Sequence, residues 1–313
     1  MGSLDGRVVI VTGAGRGLGR EHALLLGAEG ARVVVDDHGS SVNGIGADAS
    51  PAQDVAAEIR ARGGDAVASD VDVADWHAAR ELVELAVASF GDLDVLVNNA
   101  GILRDRRIWD LSEDEYDAVL RVNLKGHAAP TRWAGAYWKD RCERDGPRDA
   151  AIVSTASHSG LLGIAGQANY GASKAAIAAF AVIVGEDLAP FGVRSNVIVP
   201  GARTRMREAF RQHEADRPDT ATMASGPSEP GAFDAWDPAN ASPLVAYLAS
   251  ARCPLSGQVL LVSGGLVRRM DGWSLGAALR GEDRWTVEEL AIEMPTLFPT
   301  GDFVRPPAPS PFA

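Results

Sequence analysis

Cysteine is nearly missing from this chain, with two residues, Cys142 and Cys253, among 313. They lie far apart and form no Cys-x-x-Cys, so a disulfide framework is excluded and reduced thiols are expected. The six histidines fall at no ligand spacing, which leaves a metal site without support. Basic residues are also scarce: 30 Lys and Arg stand against 42 Asp and Glu, and a net charge of −12 argues against nucleic acid as a partner. No apolar run reaches the ~18 residues of a membrane span. The opening MGSLDGRVVIVTG has neither a basic start nor a cleavable apolar segment. These absences lead to the expectation of a cytoplasmic protein with no membrane partner. What is present, 46% hydrophobic and 23% charged residues, fits a globular chain able to bury a large α/β core.

The first apolar run, Arg7 to Val11, is β-branched and suits a buried parallel strand. Thr12-Gly13-Ala-Gly15-Arg-Gly17-Leu-Gly19 follows, and then an Ala/Leu-rich segment to about Glu29 that reads as a helix. A glycine turn between strand and helix lets the backbone approach a pyrophosphate, and the helix N-terminus offers amide donors. A second strand, Arg32 to Asp36, runs into Asp36-Asp37, about 20 residues beyond the glycines. An acid there accepts hydrogen bonds from a ribose 2′-OH and repels a 2′-phosphate. Counting from Gly19 assigns that role to Asp37 and predicts NAD rather than NADP, although Arg16 and His38 are cations that would tolerate a phosphate.

Residues 38–50, rich in Gly, Ser and Asn, read as an inserted surface loop. Pro51 then begins a helix, and strands follow at Asp65 to Ser69 and Leu93 to Val97. The second of these ends in Asn98-Asn99-Ala100-Gly101. Strand–helix alternation at this rhythm predicts a doubly wound, Rossmann-like parallel sheet with ligands at the carboxyl ends of its strands. Ser112-x-x-Glu115 is a capping box that opens a long helical region carrying Asn123. Strands are predicted at Ala151 to Val153, at Val193 to Val199, stopped by Pro200-Gly201, and last at Gly257 to Val262.

Between them lies STASHSGLLGIAGQANYGASK, residues 154–174. Tyr170 and Lys174 share a helix face at i and i+4, with the Ser157 hydroxyl thirteen residues before the tyrosine. A phenol with an ammonium nearby is expected to ionise below its usual pKa of ~10 and so to serve as acid or base toward an alcohol oxygen. The spacing by itself is equally that of a packed tyrosine beside a solvated lysine.

Taken in order, TGAGRGLG, Asp72-Val73, NNAG, the helix asparagine, Ser157, YGASK and Pro200-Gly201 resemble the short-chain dehydrogenase/reductase family over roughly residues 5–265. Within it, VVVDDHG, GQANYGASK and GARTRM resemble the (3R)-hydroxyacyl-CoA dehydrogenase part of peroxisomal multifunctional enzyme type 2 and its bacterial relatives. The resemblance implies Tyr170 as catalytic acid/base, Lys174 lowering its pKa and holding the nicotinamide ribose, and Ser157 bonding the substrate oxygen. It implies that Asn123 holds a water in a proton relay reaching Lys174. Gly13, Gly17 and Gly19 would cradle the pyrophosphate with Arg16 and Leu18 beside them, and Asp72 and Val73 would lie near adenine. Asn99, Ala100 and Gly101 would border the cofactor, and Pro200, Gly201 and Thr204 would lie near the nicotinamide.

The expected organisation is one domain over residues 1–265, containing a substrate lid at 203–241, followed by a C-terminal extension over 266–313. Arg203, Arg205, Arg207 and Arg211, with Arg104, Arg106 and Arg107, are candidates for docking the phosphates of coenzyme A; a solvated helix face with ordinary salt bridges fits them as well. Phe210, Phe233 and Trp236 are candidates to contact an acyl chain or a steroid ring. The expected function is NAD(H)-dependent interconversion of a secondary alcohol and a ketone, with a 3-hydroxyacyl-CoA as one substrate class and a steroid, terpene or other cyclic alcohol as another. A non-catalytic NAD-binding regulator is the reading of a different class. The apolar helix after Lys174 leads to the expectation of a homo-oligomer.

Overall fold

The β-branched runs assemble into one sheet in a computed structural model that describes residues 2–208, 233–281 and 283–298. Strands β1 (Val8–Thr12), β2 (Arg32–Asp36), β3 (Asp65–Ser69), β4 (Val95–Asn98), β5 (Ala150–Thr155), β6 (Val193–Gly201) and β7 (Val259–Ser263) are parallel. An eighth strand, β8 (Leu266–Arg269), returns antiparallel along β7. The order β3-β2-β1-β4-β5-β6-β7-β8 reverses direction at β1. The crevice beyond the carboxyl ends of β1 and β4 is therefore the topological switch point, where open α/β sheets take ligands.

Helices α1 (Gly17–Ala28), α2 (Ser50–Ala61), α3 (Ala79–Phe90), α4 (Glu113–Leu120), α5 (Gly126–Asp145), α6 (Ala168–Leu188) and α7 (Ser242–Ala249) cover both faces. Odd residues of β1, Val9 and Val11, pack with α1, α2 and α7, while Val8 and Ile10 pack with α3 and α5. The inner strands β1, β4 and β5 are thus buried on both sides, which is why they read as largely apolar runs rather than alternating ones. The capping box at Ser112 forms as expected, with the Ser112 hydroxyl accepting from Glu115 N.

Three features depart from the sequence reading. β7 is not the last strand, since Leu266 to Arg269 add β8. β6 does not stop before Pro200 but pairs through Pro200 and Gly201 with Val262 and Ser263. Its ladder with β5 has already ended at Thr155 and Ile198, so the proline removes no donor that β5 could use. The long helical region is also not one α-helix: Arg121–Lys125 form a turn of π-helix between α4 and α5, centred on Asn123. Such turns re-aim side chains and often mark functional sites.

The chain divides into two units, the sheet domain up to Met270 and a smaller unit from Asp271. The smaller unit contains α8 (Val287–Glu293), opened by a second capping box at Thr286 and Glu289. Trp273 and Leu275 in it are fully exposed. The Pro-rich segment 305–313, most of the expected lid (209–232), and with it Phe210 and Arg211, lie outside the described residues. No helix among the described residues is long and apolar enough to cross a membrane.

Candidate active site

The loop after β1 meets the loop after β4 at a distance that only glycine permits. Gly13 has φ +63°, and a Cβ on it would lie 2.7 Å from Ala100 Cα. A Cβ on Gly19 would fall 2.1 Å from Gly13 O and 2.5 Å from Asn99 Nδ2. The junction is tied by hydrogen bonds: Asn99 Nδ2 donates to Thr12 O and Gly13 O, both at 3.1 Å. Thr12 Oγ1 accepts from Asn99 N at 3.0 Å and Ala100 N at 3.2 Å.

A cleft opens above this junction. It is lined by Gly13, Arg16, Gly17, Leu18 and Gly19, by Asp36 and Asp37, by Asp72 and Val73, by Asn99, Ala100 and Gly101, and by Thr204, Arg205 and Met206. Asp37 accepts from Gly15 N and from Gly39 N, both at 2.7 Å, so one carboxylate braces the glycine loop and the turn after β2. Asp36 is buried instead; its carboxyl is pushed well above the usual range, first by burial, against hydrogen bonds from Ser69 and Val71 that lower it. Asp72 pairs with Arg121 and accepts from Ala74 N at 2.9 Å. These residues fit a dinucleotide: backbone approach without side chains, a helix N-terminus at Gly17, and a carboxylate beside the loop.

Residues 38–50 are more than a surface loop. His38, Ser40, Ser41, Val42 and Gly44 form a wall of the same cleft. The wall is strapped to the loop after β4 by Leu103 N donating to Val42 O at 2.9 Å and Arg104 Nε to Asn43 O at 2.8 Å. Nothing in the composition of the segment signals this.

Tyr170 and Lys174 lie on α6 beside the cleft rather than in its lining, and Gly101 is where the two regions meet. A Cβ on Gly101 would sit 3.2 Å from Asn123 Oδ1 and 3.5 Å from Lys174 Nζ. Lys174 is buried; its Nζ donates to Thr155 O at 2.9 Å and lies 5.7 Å from the centre of the Tyr170 ring. Asn123, fully buried on the π turn, accepts from Ile102 N at 2.8 Å and donates to Ile102 O at 3.2 Å and Ser173 Oγ at 3.1 Å. Ser157 exchanges hydrogen bonds with Ser159, whose N donates to Ser157 Oγ at 3.2 Å, and also bonds the Tyr170 hydroxyl. Pro200 and Gly201 end β6 and are not among the residues lining the cleft, whereas Thr204 is.

The electrostatics correct one expectation. The Tyr170 phenol is pushed up to about 12, by burial first; the Ser157 hydrogen bond opposes this and the Asp105 charge adds to it. Lys174 is brought down to about 7 by burial. Burial, and not the pairing with Lys174 that was expected to lower the phenol, sets the direction of both shifts. One neighbour was not found from sequence. Buried Asp105 accepts from Gln167 Nε2 at 3.1 and 3.0 Å, just ahead of α6.

The arginines do not form one free face. Arg203 is bidentate with Asp234 at 2.9 and 3.1 Å. Arg106 pairs with Glu115, Arg207 stacks over Trp236, and Arg205 lines the cleft.

The short chain dehydrogenase family model matches residues 7–215. This chain belongs to that family. It is 41% identical over 269 residues to the hydroxyacyl-CoA dehydrogenase ChsB1 of Mycobacterium tuberculosis, covering 83% of this chain and 78% of that one. It is 39% identical over 266 residues to peroxisomal multifunctional enzyme type 2 of Drosophila melanogaster, covering 85% of this chain but 40% of that one. A crystal structure of a short chain dehydrogenase from Mycobacterium avium superposes with a TM-score of 0.83 at 44% identity, covering 98% of this chain and 99% of that one. Membership makes the chain an oxidoreductase acting on CH–OH groups, of a family that uses NAD(P).

Proposed function

We propose that this short-chain dehydrogenase interconverts a 3-hydroxyacyl-CoA and its 3-ketoacyl counterpart with NAD(H), using Tyr170 as acid/base. The observation that carries the reading is that Lys174 and Asn123 reach the edge of the glycine-lined cleft at Gly101, with Tyr170 beside Lys174 on α6 and bonded to Ser157. Similarity to a hydroxyacyl-CoA dehydrogenase supports the substrate class.

For oxidation, the Tyr170 phenolate takes the hydroxyl proton while Ser157 Oγ holds the substrate oxygen. Lys174 Nζ is fixed by its bond to Thr155 O, and when protonated it works against the burial that raises the phenol. A dinucleotide bound in the cleft supplies the hydride acceptor. Gly13, Gly17 and Gly19 hold the pyrophosphate end, and Asp37 takes the adenosine ribose and disfavours a 2′-phosphate, which makes NAD the cofactor. Asp72 and Val73 flank the adenine, Asn99 and Ala100 brace the glycine loop, and Pro200, Gly201 and Thr204 border the nicotinamide side.

The sheet domain and residues 203–241 then act as catalytic body and substrate lid, and the extension expected from 266 begins instead at Asp271, since Leu266–Arg269 are a strand of the sheet. Ile183, 58% exposed on the apolar α6, supports a homo-oligomer built across this helix. Unpaired Cys142 and Cys253 suit the reducing cytoplasm.

The test is NADH formation with a panel of 3-hydroxyacyl-CoAs, steroids and cyclic alcohols, run on the wild type and Tyr170→Phe. The expected result is turnover of the acyl-CoAs, and a loss of at least ~10²-fold in Tyr170→Phe with NAD binding retained. Surviving turnover in that variant overturns the acid/base assignment, and preference for a cyclic alcohol overturns the substrate class.

A further inference from the structure

Arginines stand at alternate positions after β6, and the structure uses them in two ways. Arg203 is bidentate with Asp234 and its N donates to Trp236 O at 2.7 Å, while the Arg207 guanidinium stacks 4.1 Å from the centre of a Trp236 ring. Arg205, between them, lines the cleft of the glycine loop instead. Its backbone is held in place: Thr204 caps the turn, with Oγ1 accepting from Arg207 N at 3.3 Å and O accepting from Glu208 N at 3.0 Å.

Two neighbours define where Arg205 stands. A Cβ on Gly17, the first residue of α1, would meet Thr204 Cγ2 at 3.9 Å, so the chain just before Arg205 overhangs the N-terminus of that helix. Arg16 and Asp37 lie on its other side. Burial first and the Arg16 charge second lower the Arg205 pKa, and the Asp37 charge opposes them. Two guanidinium groups therefore face one cleft although like charges repel. Neither is closely paired: among the described residues Arg205 has no ion pair or hydrogen bond, and Arg16 reaches Asp48 only at 3.9 Å. The Asp37 carboxylate is already engaged by Gly15 N and Gly39 N.

The balance of charge points to an anion. Arg16 and Asp37 offset each other, so without Arg205 the cleft would offer an anion little more than the helix N-terminus, about half a positive charge. Arg205 adds a whole one. The addition matters in a chain of net charge −12, whose field opposes the approach of an anionic ligand.

We propose that Arg205 is a binding residue for the dinucleotide, its guanidinium gripping the pyrophosphate together with the glycine loop and Arg16. The inference rests on the reading of this cleft as the dinucleotide site, and it moves Arg205 from the coenzyme A candidates to the cofactor. The overhang above the α1 N-terminus favours the pyrophosphate, since that is where a dinucleotide places it. A 2′-phosphate would instead have to lie against the Asp37 carboxylate. A planar fork of donors suits neighbouring phosphate oxygens, and Arg203 and Arg207 keep the backbone that carries this fork braced against Asp234 and Trp236.

The experiment reads binding in the absence of substrate, so it does not depend on turnover. NADH and NADPH are titrated by fluorescence into wild type, Arg205→Ala and Arg205→Lys, and ADP and adenosine are then used to displace bound NADH. Arg205→Ala is expected to weaken NADH, NADPH and ADP each by about tenfold and to leave adenosine, which has no phosphate, unchanged. Arg205→Lys, which keeps the charge without the fork, is expected to recover part of the loss. At saturating NAD, the KM for a 3-hydroxyacyl-CoA should not change in either variant.

Unchanged ADP affinity in Arg205→Ala overturns the proposal, as does an equal loss for adenosine or an Arg205→Lys protein that binds ADP no better than Arg205→Ala. A loss confined to NADPH would assign the guanidinium to a 2′-phosphate, and a raised KM with NADH affinity unchanged would assign it to coenzyme A; either result also overturns the proposal. Failure of the cleft reading is seen separately, as a Gly19→Ala protein that binds NADH like the wild type. Failure of the substrate reading appears only in turnover and leaves these titrations as they are.

Discussion

Gly19→Ala is the most exacting test of the cleft, because one methyl group is set against backbone atoms that cannot rotate away. The added carbon would lie 2.1 Å from Gly13 O, 2.8 Å from Gly13 C and 2.5 Å from Asn99 Nδ2. Ordinary contact requires the Gly13 carbonyl to retreat by more than an ångström. Asn99 Nδ2, which donates to that carbonyl at 3.1 Å, loses its bond as the loop moves. Overpacking of this kind costs about 1–3 kcal/mol, and the lost hydrogen bond about 1 kcal/mol more. At roughly 2 °C per kcal/mol for a chain of this size, the melting temperature should fall by about 4–8 °C. The same displacement spoils the cradle, and a loss of only 1.4 kcal/mol in binding weakens NADH about tenfold.

Gly6→Ala is the matched control. Gly6 has φ +76°, yet its Cβ would meet nothing within 4 Å. That variant pays the left-handed strain of about 1–2 kcal/mol and should lose stability without losing cofactor affinity. Thermal melts and NADH fluorescence titrations of both proteins decide the matter. A Gly19→Ala protein that binds NADH like the wild type would refute the placement of the cradle.

Asp37→Ser removes the carboxylate that holds Gly15 N and Gly39 N. Its Kd for NAD should rise about tenfold, and discrimination against NADP should shrink about a hundredfold as like-charge repulsion of a few kcal/mol disappears; parallel titrations with the two cofactors check this, and an unchanged ratio rejects Asp37 as the selector. His22, fully buried with Nδ1 2.8 Å from Ser242 Oγ, is brought down to about 3 by burial. Its folded pKa lies below the unfolded value, so the unfolded chain binds the proton first and stability is lost as pH falls from ~6.5 toward 3, by about 2 kcal/mol at pH 5. Asp36 acts with the opposite sign because burial raises it, so the comparison must be the pH slope of urea unfolding in wild type against His22→Gln. A slope that does not flatten in the variant rejects His22 as a source of acid sensitivity.

Much of the fold was legible because its signals are local. β1 and β2 are short runs bounded by turn residues, and each is buried on both faces, so burial and periodicity point the same way. The capping box at Ser112 needs only four residues to be recognised. What was not legible depends on partners distant in sequence. β8 is a strand only because β7 offers an edge to Leu266–Arg269. The wall formed by residues 38–50 exists because Val42 and Asn43 meet Leu103 and Arg104, some sixty positions away. The π turn at Asn123 is set inside a continuous helical region, and no pattern of hydrophobic residues reveals it.

The candidate site shows the same division more sharply. Tyr170, Lys174 and Ser157 are close in sequence, so spacing alone suggests that they act together. Their charges are another matter. A lysine one turn from a tyrosine was expected to lower the phenol, yet burial of both groups pushes the phenol up and the ammonium down. Lys174 is buried with its Nζ on Thr155 O of β5, a contact that is not visible in YGASK. The ionisation of a short motif therefore belongs to the tertiary structure that encloses it. Gly101 shows how tightly that enclosure is drawn. It lines the cleft on one side and faces Asn123 Oδ1 and Lys174 Nζ on the other, where a methyl group would stand 3.2 and 3.5 Å from them. Glycine at this position lets the cleft and the lysine share a single wall one backbone thick, which brings the charge of the lysine close to whatever the cleft binds.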